Sequence, residues 1–109
     1  MSIHIRKKHE YLSNMIDRVN DKSTTPMPDY LITAFHDYIT KAESLFESRT
    51  LKGYLNYSFA MYKICEIHGE NEFMNRFHLL VSHDKLLMQD DNWRALCEAF
   101  DWQYIPTFM

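Results

Sequence analysis

From Tyr54 to Ile67, ten of fourteen positions are apolar or aromatic, and they do not keep to one side. At 3.6 residues per turn these side chains surround the helix axis, and Lys63 and Glu66 are the charged interruptions. A helix that is apolar all round must be buried. A chain of 109 residues that carries one must therefore wrap most of its remaining length around it. Gly69 supplies a C-terminal stop for this central helix, placed at Tyr54–Ile67.

The flanking segments have the pattern such wrapping needs. Ile5, Leu12, Met15, Ile16 and Val19 recur at steps of three, four and seven, with Arg6, Lys7, Glu10, Asp17 and Arg18 on other faces. Pro26 and Pro28 end this segment, and proline beside a helix start sacrifices no hydrogen bond. Asp29 suits the positive end of a second helix. Its stripe is Leu31, Phe35, Tyr38, Ala42 and Leu45, widened by Ile32, Ile39 and Phe46. A short turn around Phe73, Met74 and Phe77 follows, and Ser82 has the hydroxyl of an N-cap. The last run carries Leu86, Leu87, Trp93, Leu96, Cys97 and Phe100, and Gln89 to Asn92 is expected to break it in two. Trp102 to Pro106 reads as an extended apolar tail that packs back on the bundle. Its period of two puts Trp102 and Tyr104 on one side, facing Trp93 and Phe100. The expected fold is all-α: one compact domain over residues 1–109, with about five helices around the central one.

Aromatics make up 15% of the chain, enough for a core at this length, since each buried ring removes roughly 150–250 Å² from water. Only 2 Gly and 3 Pro exclude a linker-like or disordered chain. Cys65 and Cys97 both sit within apolar patterns and read as reduced, buried thiols. The start, Met1 to His9, has no long apolar stretch, and no window approaches the roughly 20 apolar residues of a membrane span. A soluble cytoplasmic chain without a signal sequence is the expectation.

Chemistry is sparse. There is no Gly-rich phosphate loop, no Gly-x-Ser-x-Gly elbow and no His-Glu-x-x-His helix, so catalysis is not expected. Cys65 and His68, three apart on a helix, could begin a zinc site with His78 and His83. The structural reading is stronger. Cys65 lies on the apolar central helix, His68 suits a last helical turn, and no second close pair completes the spacing. Neither metal nor cofactor is expected. The net charge of −3 opposes autonomous DNA binding. Arg6, Lys7 and Lys8, with Arg94, are the candidates for phosphate contact, although such a run is more often a solvated face.

The second half of the chain resembles a known family. The run from Leu55 to Glu66 (LNYSFAMYKICE) is similar to the stretch opening the C-terminal part of the viral late transcription factor three-like family. That family belongs to poxviruses, iridoviruses and other large nucleocytoplasmic DNA viruses. The similarity continues through Glu72-Phe73, Phe77 to Leu86, Gln89-Asp90, Trp93, Cys97-Glu98 and Trp102 to Pro106. Lys8 to Tyr11, Ile16 to Asn20 and the prolines Pro26 and Pro28 follow the family more loosely.

The resemblance implies a late, post-replicative transcription factor, whose partners are viral RNA polymerase or another transcription factor, acting in the viral factory of the host cytoplasm. It supplies no catalytic residues. The family's upstream zinc-binding cysteine cluster has no counterpart here. Basic family positions are Val81 and His83, and the paired lysines after the tryptophan are Arg94 and Ala95, which argues for weak or no direct DNA contact. The alternative is a non-catalytic helical interaction protein acting outside transcription. Helical initiation-factor modules are often cyclin-like, and five helices around a central one fit that shape by analogy.

Overall fold

Helix α1 covers residues 10–18, and the elements after it are α2 (Asp29–Glu47), α3 (Tyr57–Ile67), α4 (Asn71–Met74) and α5 (His83–Phe100). The structure, a computed structural model, describes residues 10–18, 25–77 and 82–107, and no strand occurs among them. Ile5, Val19, His78, Val81 and Phe108 of the sequence reading lie outside the described residues.

The central helix is α3, and it begins at Tyr57 rather than at Tyr54. Asn56 adopts an extended conformation and its side chain accepts from the Phe59 amide at 2.9 Å, which fixes the N-cap there. At the other end Gly69 has φ +72°. Its amide donates to Glu66 O, and the Glu70 amide donates to Cys65 O at 2.9 Å, the paired reversal that favours glycine. Phe59, Ala60, Met61, Ile64 and Cys65 of α3 are wholly buried.

Three helices close on this axis. Leu12 and Ile16 come from α1; α2 brings Leu31, Phe35, Ile39 and Ala42. Ile39 takes the deep position expected of Tyr38, which stays half-buried at the edge. Phe35 meets Phe77 edge-to-face at 5.7 Å, and Phe59 meets Trp93 of α5 in the same way at 6.5 Å. Trp93, Leu96 and Cys97 are the buried face of α5.

Gln89 to Asn92 does not break α5, which is continuous from His83, with Ser82 as its N-cap. Polar residues inside a helix cost it only tenths of a kcal/mol each, up to about 0.7, and here the side chains of Gln89 and Asn92 satisfy backbone elsewhere. Gln89 is wholly buried; its Oε1 accepts from the Asn56 amide at 2.9 Å and its Nε2 donates to Tyr54 O at 2.8 Å. Asn92 Nδ2 donates to Lys52 O at 3.3 Å. The run that looks like a breaker instead anchors the irregular approach to α3.

The tail folds back as expected, extended but unpaired with any strand. Asp101 turns the chain with φ +58°, and the Trp102 amide donates to Cys97 O at 2.9 Å. Trp102 stacks between Tyr38 (4.5 Å) and Phe100 (4.9 Å) and lies 5.6 Å from Trp93. The Tyr104 hydroxyl donates to Asp90 Oδ2 at 2.6 Å. Lys63, which the sequence reads as a polar interruption of α3, is 1% exposed. Its ammonium pairs with Glu66 Oε1 at 2.6 Å and donates to Ile105 O at 2.6 Å and Thr107 Oγ1 at 3.1 Å. The charge is thus met by one carboxylate and by two tail acceptors.

Candidate interaction surface

Of the four basic residues singled out for phosphate contact, Arg6, Lys7 and Lys8 lie outside the described residues. Arg94 is exposed on α5. Its Nε is 3.6 Å from Glu98 Oε1, and its guanidinium carbon lies 6.0 Å from the centre of the Tyr104 ring. Arg76 and Lys41 are likewise beside carboxylates, of Glu72 and Asp37. The described residues hold fourteen acidic and eight basic side chains, and Lys63, one of the eight, is buried. The remaining basic side chains, Arg6, Lys7, Lys8 and Lys22, lie outside the described residues, and the whole chain carries 12 basic against 15 acidic side chains.

The thiols face inward. Burial pushes the Cys65 thiol up to about 12 from its ordinary 9.0, against a weaker opposing pull from Arg76. Burial also pushes Cys97 up to about 11, and its Sγ lies 3.8 Å from Gln103 O. His68 is exposed at the end of α3, edge-on to Tyr30 at 6.1 Å and to Tyr38 at 5.8 Å, and Tyr30 hydrogen-bonds Glu70. Cys65 and His68 are not drawn into one ligand set; among the described residues no group of three or more His, Cys, Asp or Glu is placed to hold a metal.

Neither thiol should react with a disulfide reagent at pH 8 in the native protein, and both should react in urea. A thiol whose folded-state value is raised keeps its proton where the unfolded chain has lost it. The stability linked to each thiol is therefore intact below about pH 9 and erodes as pH rises toward 11 to 12. Thiol counting with and without denaturant, and melts between pH 8 and 11, check both points.

The outer side of α5 offers more. The buried stripe of this helix passes through Gln89, Asp90, Trp93, Leu96 and Cys97. Leu87 and Met88 fall out of that phase and are 39% and 37% exposed. They line an open groove of about 540 Å³ with Asp84, Asp91 and Asn92 from α5 and with Lys52 and Gly53 from the loop before α3. Gly53, at φ +92°, turns this loop and adds no side chain to the wall. Tyr54, the next residue, is 49% exposed. Sequence reasoning put Leu87 in the apolar run and did not single out the groove. The signal was present, since a residue one or two places off a 3.6-residue stripe points away from the core.

Comparison with known proteins places the chain in a family. The family model of poxvirus late transcription factor VLTF3-like proteins matches residues 2–104, nearly the whole chain. The chain belongs to that family. A candidate transcription factor of Acanthamoeba polyphaga mimivirus (R429) is 28% identical over 108 residues, 96% of this chain and 25% of the relative. Another, from Paramecium bursaria Chlorella virus 1 (A494R), is 34% identical over 56 residues, 51% of this chain and 16% of the relative. The chain thus spans a quarter or less of the length of these two family relatives. No solved structure matches it significantly. The resemblance read from residues 55–106 is the family found, and among the described residues no helix is long and apolar enough to cross a membrane.

Proposed function

We propose that this chain is a transcription-factor unit of a large DNA virus, used by the viral RNA polymerase for genes expressed after genome replication. It acts by contact with the polymerase or another initiation factor, not by catalysis, and works in the viral factory of the host cytoplasm. Support comes from family membership and from relatives named as candidate transcription factors. The observation that carries the mode of action is the groove on α5, with its exposed Leu87 and Met88 beside Asp84 and Asp91. An apolar surface next to carboxylates suits a protein partner and rejects a phosphate backbone.

The test is transcription in extracts of infected cells. Immunodepletion of this chain should reduce transcripts from late promoters selectively, and adding back the purified protein should restore them. Unchanged late transcription after depletion would remove the reading. Titrated with DNA at about 0.15 M salt, the purified chain should bind no tighter than roughly 10⁻⁴–10⁻⁶ M, as for generic phosphate contact. A nanomolar, sequence-selective complex would show that the protein reads DNA itself.

A further inference from the structure

Asp84 and Asp91 lie seven residues apart on α5, two helical turns or about 10.5 Å along its axis. Leu87 and Met88 sit between them, three and four residues from each, so all four share one face. Lys41, Lys63, Arg76 and Arg94 pair with Asp37, Glu66, Glu72 and Glu98, and neither Asp84 nor Asp91 is used. Across the groove, Lys52 lines the opposite wall, and the Asn92 bond to Lys52 O ties that wall to α5. The result is a groove with two exposed apolar side chains between two carboxylates that enter no ion pair among the described residues, and Lys52 also lines it.

Resting on the transcription-factor reading above, we propose that this groove docks a basic amphipathic helix of a partner protein, laid along α5. The charge pattern selects the occupant. Lysine or arginine at i and i+7 of the incoming helix meets Asp91 and Asp84, and the leucine-like residues between them cover Leu87 and Met88. Helices recognise grooves through such i, i+3, i+4 and i+7 anchors. An added β-strand has no sheet edge to join among the described residues. Nucleic acid would bring phosphates against the carboxylates.

Two measurements test this on the full 109-residue chain. The first is an NMR titration with a synthetic amphipathic helix that carries lysines at seven-residue spacing with leucines between, beside a counterpart with glutamates in place of the lysines. The lysine peptide should shift the amides of Leu87, Met88, Asp91 and Asn92, and the glutamate peptide should not. The double variant Asp84→Asn/Asp91→Lys should bind the lysine peptide about tenfold more weakly and with less dependence on salt, as rim charges do. Circular dichroism checks that this surface variant, and a second one, Leu87→Ser/Met88→Ser, keep the fold. Shifts mapping elsewhere, equal binding of the glutamate peptide, or full affinity in both variants would overturn the groove assignment. So would sedimentation showing a dimer that the variants abolish, because the occupant would then be a second copy.

The second measurement is binding to purified viral RNA polymerase with its initiation factors. Loss of that binding in both variants supports the proposal. Wild-type-like binding by the variants overturns the groove and leaves the transcription reading standing. No binding by the wild-type chain, with the lysine peptide still seated in the groove, sinks the transcription reading while the groove chemistry survives.

Discussion

Lys63→Ala should lower the unfolding free energy by about 3–5 kcal/mol, the usual effect of removing one partner from a buried ionic contact. The side chain is 1% exposed; its ammonium is ion-paired with Glu66 and hydrogen-bonded to Ile105 and Thr107. Its loss strands three acceptors at once, one of them a carboxylate. Lys63→Met keeps the apolar stem that packs within α3 and should still lose most of that stability, because the stranded acceptors are the same. Adding Glu66→Leu to Lys63→Met should recover more than half of the loss, since it removes the uncompensated charge. Urea melts of the three variants make the comparison. A cost under about 1 kcal/mol for Lys63→Ala, the range of an exposed ion pair, would mean that the tail is not held in this way.

Deleting residues 102–109 should be more damaging still. Trp102 and Tyr104 are each half-buried against the core, and each contributes part of the roughly 1.5–3 kcal/mol that full burial of a large apolar side chain provides. The deletion also removes both tail acceptors of Lys63 and leaves Asp90, 7% exposed, without the Tyr104 hydroxyl. The combined loss should exceed about 5 kcal/mol, the lower end of a small domain's whole margin. The truncated chain is expected to be largely unfolded at 25 °C. Tyr104→Phe isolates one part of this, with an expected loss of about 1.5–3 kcal/mol for a hydrogen bond to a charged group. If the truncated chain melts like the full one and only partner binding disappears, the tail is a docking peptide rather than part of the fold.

The two deep lines of this fold were legible for a plain reason. Apolar periodicity reports which side of a helix is dry, so α3 as axis and Leu31, Phe35 and Trp93 as its packing partners follow from spacing alone. Ser82 and Gly69 were legible because caps act within three or four residues of themselves. Lys63, Gln89 and Asp90 were not. A buried polar residue is tolerated only through a partner distant in sequence, and periodicity carries no record of that partner. Lys63 finds Ile105 at a separation of 42 residues and Gln89 finds Asn56 at 33. The same gap concealed the α5 groove, whose second wall is contributed by Lys52 and Gly53.

Gln89 also has a consequence for the order of events in folding. The cap of α3 is a local bond, Asn56 to Phe59, but the Asn56 amide itself is held by the side chain of Gln89. The residue that caps the central helix is therefore fully secured only once α5, near the other end of the chain, has docked. A contact spanning 33 residues closes a long loop before any of its enthalpy is returned, which ties the two halves into one cooperative transition. By secondary structure alone, the Asn56 amide belongs to an irregular segment that should trade its hydrogen for deuterium within seconds. Held by a wholly buried glutamine, it should exchange as slowly as the amides inside α3, opening only when the whole molecule does.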